Sequence, residues 1–352
     1  MRCRKKRVLF LTFNTDLGGP QRWLDGLLGS ATMLEFDVDV WRLKVPKFPY
    51  YWELLQELRS KLKGFGPDVV YINHDLRAAC LVACFCRLLG FSNVIAHSRN
   101  SSFGGPNGLA LKVCQFLLRR VVKQKVAISI EAARAMFSVA DQSTIYIPSF
   151  IDFEQLANES LLAPEWSAND TFSGVTFGCI GRLAYQKNQE LLINAFKPIV
   201  AGGLNARLLL IGDGEREDEF RAMVKEYNLV ESVIFVGAVG DVAAWYRHVL
   251  DVLLVPSRYE GQGRIVAEGQ FFGLPVVASP EVPDVAFLFE EDVCQTSSLL
   301  VEEWIDVIIS IASTVSKDRN RVPCIERARR SPLSLELGVL RVRDCIVSVL
   351  NT

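Results

Sequence analysis

The chain has 352 residues, 50% of them hydrophobic and 22% charged, with 39 Lys and Arg against 40 Asp and Glu. At about 100 to 200 residues per domain that length asks for two domains, and so high an apolar fraction excludes a disordered, collagen-like or small disulfide-stapled chain. A net charge of −1 excludes a dedicated nucleic-acid binder, although the charge is uneven: residues 1–160 carry a net +7 and residues 161–352 a net −8.

The start, Met1-Arg-Cys-Arg-Lys-Lys-Arg7 followed by Val8–Phe13, has the charge of a secretory leader. Its apolar run stops after six residues, short of the roughly 7 to 15 that a leader needs, so it predicts a buried first strand. The longest apolar window, Ala78–Leu89, is broken by Arg87 and falls short of the roughly 18 residues of a membrane span. Nine cysteines, an odd number set mostly in apolar runs (Cys80, Cys84, Cys86, Cys179), suit a reducing compartment, and the cytoplasm is the expected location. Without further Cys or His at ligand spacing they read as core side chains, not metal ligands.

Strands are predicted at Val8–Phe13, Val38–Leu43, Asp68–Asn73, Val94–His97, Lys125–Ile128 and Ser143–Ile147, with amphipathic helices at Gln21–Leu28, Tyr51–Leu62, Leu76–Leu89 and Leu109–Val122 between them. Continuous apolar runs alternating with helices mean a parallel sheet covered on both faces. The pattern breaks over 151–174, which holds Asn158, Pro164 and Ser173-Gly174 and reads as a linker. It restarts at Val175–Ile180 and recurs at Arg207–Ile211, Val233–Val236, Val252–Val255 and Pro275–Ala278, with two or three helices from Val301 onward. The expected architecture is α/β: two doubly wound, Rossmann-like domains at 1–150 and 175–330 facing across a cleft, with a helix at 331–352 packing back on the first.

Two stretches carry chemistry. Gly181-Arg-Leu-Ala-Tyr-Gln-Lys-Asn188 joins a strand to a helix. Its glycine permits close approach of a ligand, Arg182 and Lys187 supply two cations, and the helix start adds partial positive charge, which together suit a diphosphate without a metal. The alternative is an ordinary surface loop. In Pro256-Ser-Arg-Tyr-Glu260-Gly-Gln-Gly263-Arg-Ile-Val-Ala-Glu268, Glu260 ends a loop, Gly261 and Gly263 open a helix, and Glu268 lies about one turn in. Two carboxylates so placed can accept vicinal hydroxyls of a ribose or hexose.

These motifs, with Leu208–Gly214, Val233–Gly237, Val255-Pro-Ser257 and Gly273–Ala278 in the same order, resemble the donor domain of the retaining GT-B glycosyltransferases, glycosyltransferase family 4, with the feel of bacterial exopolysaccharide and capsule enzymes. The resemblance implies GT-B architecture, with Arg182 and Lys187 on the nucleotide diphosphate, Glu260 on hydroxyls of the donor sugar, Glu268 on the ribose, and Gly181, Gly261, Gln262 and Gly263 bringing backbone to the donor. Gln262 stands where the family usually has an aromatic or leucine, which leaves the sugar open. Gly18-Gly19 resembles the family's paired-glycine loop, with a structural turn as the alternative. Ile95-Ala-His97-Ser-Arg-Asn100 resembles the segment carrying a cleft histidine, with His74 as the rival.

The resemblance further implies hexosyl transfer from a nucleotide diphosphate sugar to a saccharide or lipid-linked acceptor in polysaccharide biosynthesis, with neither cofactor nor metal. A non-catalytic nucleotide-sugar-binding partner, or a GT-B epimerase, is the alternative. Asp37-Val-Asp39 spells a metal signature of other glycosyltransferases but sits in strand alternation, and Gly-x-Gly-x-x-Gly is missing after the first strand, against hydride transfer. The basic terminus and the apolar, basic segment Lys112–Lys125 suit peripheral contact with an anionic membrane, the alternative being a helix packed on its own domain.

Overall fold

A computed structural model describes residues 4–13, 19–43, 51–99, 108–315 and 321–352. The chain divides into two units, Met1–Ile151 with Pro332–Thr352, and Asp152–Ser331. In the first, the order is β1 (Arg7–Phe13), α1 (Gly19–Gly29), β2 (Asp37–Leu43), α2 (Tyr51–Phe65), β3 (Val69–Asn73), α3 (Leu76–Leu88), β4 (Val94–Ser98), α4 (Leu109–Val121), β5 (Gln124–Ala127), α5 (Ile130–Phe137) and β6 (Thr144–Tyr146). The second runs α6 (Phe153–Glu159), β7 (Val175–Ile180), α7 (Gln189–Ala201), β8 (Ala206–Ile211), α8 (Glu217–Glu226), β9 (Val233–Gly237), α9 (Ala243–His248), β10 (Val252–Val255), α10 (Arg264–Phe271), β11 (Val276–Ala278), β12 (Val293–Gln295), α11 (Val301–Thr314) and α12 (Ile325–Arg329). The last helix, α13 (Leu335–Asn351), belongs to the first unit.

Each unit is a six-stranded parallel sheet, in the order β2-β1-β3-β4-β5-β6 in the first and β12-β11-β10-β7-β8-β9 in the second. Residues along each strand alternate between two cores. In the first unit Leu9, Leu11, Val70 and Ile72 pack on α2, α3 and α5, while Val8, Phe10, Val69 and Tyr71 pack on Trp23 and Leu27 of α1 and Val339, Val342 and Ile346 of α13. Burial on both faces is why these strands read as unbroken apolar runs. Gly338 lets α13 close down on Phe150, since a Cβ there would lie 2.2 Å from the phenyl ring.

Helix starts follow local chemistry. Asp75 accepts from Arg77 N and Ala78 N at 2.9 and 3.1 Å to cap α3, Ser129 accepts from Ala132 N at 3.1 Å to cap α5, and Asp152 accepts from Gln155 N at 2.9 Å to cap α6.

The segment 151–174, expected as a linker, is instead built into the second unit from Asp152 onward. Phe153, Leu156 and Ala157 of α6 are buried, with the Phe153 ring 4.9 Å from that of Phe271. Asp170 pairs with Arg207 of β8, whose guanidinium also lies over the Trp166 and Phe172 rings. Its polar, proline-bearing composition hid these anchors, which are single residues spaced along the segment.

Asp37 and Asp39 lie on β2 and pair with Arg7 (3.7 Å) and Lys61 (2.6 Å). Among the described residues no three His, Cys, Asp or Glu side chains come together to hold a metal ion. No helix among them is long and apolar enough to cross a membrane.

Candidate functional site

Numbered within the second unit, its strand order is 3-2-1-4-5-6, so the crossovers reverse direction between β7 and β10. Loops at such a switch point diverge and leave a crevice at the strand ends, where doubly wound sheets take their ligands. The loop after β7 holds Gly181, Arg182 and Lys187; the loop after β10 holds Ser257 and Glu260. The two meet in an ion pair, Lys187 Nζ to Glu260 Oε1 at 2.5 Å, and the Ser257 hydroxyl donates to the same oxygen at 2.8 Å. Glu260 is 7% exposed, so its charge is held by these two partners rather than by water.

Backbone geometry explains why the loops fit. Gly181 has φ +142°, and a Cβ on it would press against the Lys187 side chain at 3.0 Å. A Cβ on Gly212 would lie 2.2 Å from the Gly181 carbonyl oxygen, and one on Gly214 would lie 2.3 Å from that of Leu183, so only glycines let the β8 loop lie against the β7 loop. That contact is sealed by Leu183 N donating to Asp213 O (2.7 Å) and Arg216 N donating to Leu183 O (3.0 Å).

Asn188 ends the loop in the left-handed region at φ 55°, and its Nδ2 donates to Pro256 O at 3.1 Å, tying the start of α7 to the end of β10. Arg258 N donates to Gln186 O at 2.8 Å, and the Arg258 guanidinium pairs with Glu190, which also takes Arg216. Arg182 is exposed and makes no side-chain ion pair or hydrogen bond with the described residues, while its carbonyl accepts from Gln189 Nε2 at 2.9 Å.

Glu268 lies in the second turn of α10, 6% exposed, between Arg264 (3.2 Å) and the Tyr246 hydroxyl of α9, which donates at 3.3 Å. Gly263 caps α10 at φ +79°, a conformation that leaves its first-turn amides uncovered by a side chain. Gly261 is half-buried and Gln262 buried. Burial raises the Cys179 thiol, under this loop at the end of β7, to about 12, so it stays protonated.

In the first unit Gly19 is the first residue of α1, and Gly18 lies outside the described residues, as does Asn100. His97, next to the end of β4, is wholly buried, with Nδ1 2.9 Å from the Tyr71 hydroxyl and the Trp23 ring edge-on at 5.7 Å. Burial first, then the Arg99 charge, holds its pKa well below the usual histidine range, against a smaller opposing pull from the Ile147 carbonyl. His74, just past β3, keeps Nδ1 2.8 Å from Asp75 Oδ2, and His248 places Nε2 2.8 Å from Ser160 O.

Sequence reasoning missed Ser257, Tyr246, Glu190 and Arg216. Ser257 stands three residues before Glu260 and was within reach of local reading. Tyr246 reaches Glu268 from 22 residues away and left no local sign.

Residues 174–313 match the family described as Glycosyl transferases group 1. A putative glycosyltransferase EpsF of Bacillus subtilis (strain 168) is 26% identical over 240 residues, 65% of this chain and 62% of that protein. A lipopolysaccharide core biosynthesis mannosyltransferase LpsB of Rhizobium meliloti is 28% identical over 155 residues, 41% and 42% of the two chains. Among solved structures, a glycosyltransferase from Rickettsia africae ESF-5 superposes with a TM-score of 0.75 at 14% identity, covering 99% of both chains. Anabaena Alr3699/HepE in complex with UDP and glucose gives 0.69 at 18%, covering 98% and 97%.

Two measurements check this description. Lys187→Met leaves the buried Glu260 carboxylate with Ser257 alone and is expected to lower the urea unfolding free energy by about 2 kcal/mol, with Lys187→Met/Glu260→Gln recovering more than half of it. The depressed His97 pKa means that below about pH 6.5 the unfolded chain takes up a proton that the folded chain refuses, so stability falls as pH drops, by up to about 1.4 kcal/mol per pH unit for this group. His97→Asn is expected to flatten the loss of stability between pH 7 and 5 measured by urea titration.

The chain has the two-unit α/β architecture of GT-B glycosyltransferases, and its residues 174–313 match the Glycosyl transferases group 1 family.

Proposed function

We propose that the chain is a retaining, metal-independent glycosyltransferase of family 4 that moves a hexose-type sugar from a nucleotide diphosphate sugar to a saccharide or lipid-linked acceptor in exopolysaccharide, capsule or O-antigen synthesis. The observation that carries this reading is the meeting of Lys187 with Glu260 at the β7/β10 switch point, a cation and a carboxylate side by side at the ligand-taking edge of the sheet. The UDP and glucose named for the Anabaena structure and the mannosyl transfer named for the Rhizobium relative support a sugar nucleotide as donor and a saccharide as acceptor.

On this reading the anomeric C–O bond to the diphosphate breaks while the acceptor oxygen bonds to the same carbon from the same face, and the acceptor proton passes to the departing phosphate oxygen. Negative charge grows on the diphosphate. Arg182, Lys187 and the first amides of α7 meet it with positive charge and N–H donors. Lys187 shifts from Glu260 toward phosphate, and Glu260 turns its carboxylate to the sugar hydroxyls. Glu268, oriented by Tyr246 and Arg264, takes the ribose. Gly181, Gly261, Gln262 and Gly263 bring backbone close to the donor.

Acceptor-dependent release of nucleotide from UDP-, GDP- and ADP-sugars, assayed with EDTA present, tests this. One nucleotide is expected to raise the melting temperature and to support turnover. Arg182→Ala or Glu260→Ala is expected to cut kcat/KM by roughly ten- to a hundredfold, the loss of a charge-assisted contact. Turnover at the parent rate in either variant rejects the assignment.

Membrane contact is assigned to α4. Leu111 and Leu118 face inward, while Leu109, Val113, Phe116 and Leu117 form an exposed stripe with Lys112, Arg119 and Arg120 around it and no acidic residue on the helix. An apolar stripe ringed by cations suits an anionic bilayer, at about 1 kcal/mol per cation. Flotation with phosphatidylglycerol vesicles is expected to recover the chain, and Phe116→Ser/Leu117→Ser to lose it; parent chain that stays at the bottom of the gradient rejects this part of the reading.

A further inference from the structure

The face of the first sheet that packs on α1 and α13 carries apolar residues until its carboxyl-terminal edge. There three neighbouring strands turn polar together. Thr12 of β1 and Asn73 of β3 are register partners, and one step beyond the Tyr71–Ile95 and Ile72–Ala96 pairs Asn73 comes beside His97 of β4. Thr12, Asn73 and His97 each stand two residues past a core residue, Phe10, Tyr71 and Ile95, and so share their face. All three are buried, at 3%, 1% and 0% exposure.

Asn73 breaks the rule that buried polar groups are paired. Both its carboxamide atoms, Nδ2 and Oδ1, lack a hydrogen-bond partner among the described residues, and so does Nε1 of the wholly buried Trp23, whose ring lies over this face 6.2 Å from Tyr71 and 5.7 Å from His97. A buried amide left unpaired weakens the fold, and an apolar side chain of the same size would remove that penalty. Its position is also particular. The sheet order β2-β1-β3 makes β1/β3 the switch point of this unit, the crevice where a doubly wound sheet takes its ligand.

We propose that Asn73 forms a hydroxyl-binding subsite at the β1/β3 edge that takes a vicinal diol of a pyranose, Nδ2 donating to one hydroxyl oxygen and Oδ1 accepting from the next. A carboxamide matches a diol because it offers one donor face and one acceptor face, as adjacent hydroxyls do in reverse. That the diol belongs to a sugar rests on the glycosyltransferase reading above. At 1% exposure the amide meets a ligand only after a local opening, so association is expected below the usual protein–ligand range.

The full chain and its Asn73→Leu variant are titrated with UDP, with UDP-glucose, UDP-galactose and UDP-N-acetylglucosamine, and with the methyl glycosides of the same sugars. UDP is expected to bind both proteins alike, and a sugar-bearing probe to bind the variant about tenfold more weakly, as the loss of two neutral hydrogen bonds implies. Weaker binding of the glycosides, of the UDP-sugars or of both by Asn73→Leu, with UDP binding unchanged, supports the subsite. Equal affinity of both proteins for every sugar-bearing probe overturns the proposal, as does parent chain that binds none of them. Asn73→Leu is expected to melt no lower than the parent; a lower melting temperature together with lost UDP binding makes Asn73 a structural residue and overturns it too. Parent chain that binds no UDP, with glycoside binding weakened in Asn73→Leu, rejects the transferase reading and leaves the subsite standing.

Discussion

Parallel pairing governs this protein. When every strand of a sheet runs the same way and each crossover returns along a helix, all strand ends come out on one edge, and loops far apart in sequence become neighbours there. Lys187 and Glu260, 73 residues apart, touch only because β7 and β10 lie side by side at the point where the crossovers reverse. The same rule acts in the first unit, where it sets Thr12, Asn73 and His97 in a row across β1, β3 and β4.

Holding charges at such an edge is costly, since a carboxylate withdrawn from water needs partners of its own. The second unit supplies them in layers. Ser257 and Lys187 hold Glu260, Tyr246 and Arg264 hold Glu268, and Glu190 clamps Arg258 and Arg216 so that the loops after β7 and β10 cannot drift apart. Gly212 and Gly214 allow backbone to lie on backbone beneath them. These partners keep Glu268, Arg258 and Arg216 oriented without help from a ligand.

The first unit departs from its own pattern where function is expected. A sheet face that is apolar through Val8, Phe10, Val69 and Tyr71 ends in a carboxamide unpaired among the described residues and a neutral, buried imidazole. Local violations of an otherwise consistent design concentrate at sites, because stability alone would have removed them. The outer stripe of α4 is a second departure, apolar residues facing outward from a helix that already buries Leu111 and Leu118.

Amino-acid order alone determined the strand–helix alternation, the positions of β1 to β11 to within a residue or two though not β12, and the loops bearing Gly181, Arg182, Lys187 and Glu260 with the helix bearing Glu268, because apolar periodicity, glycine and paired charges are local signals. The segment after Ile151 was misread as a linker, since its anchors Phe153, Leu156 and Asp170 are isolated residues whose partners, Phe271 and Arg207, lie in other elements. Strand order, the pairing of Lys187 with Glu260, the grip of Tyr246 on Glu268 and the burial of Asn73 without a partner among the described residues were decided by tertiary structure. Each depends on which chain segments become neighbours across a sheet, and that is set by the packing of whole elements rather than by any window of sequence.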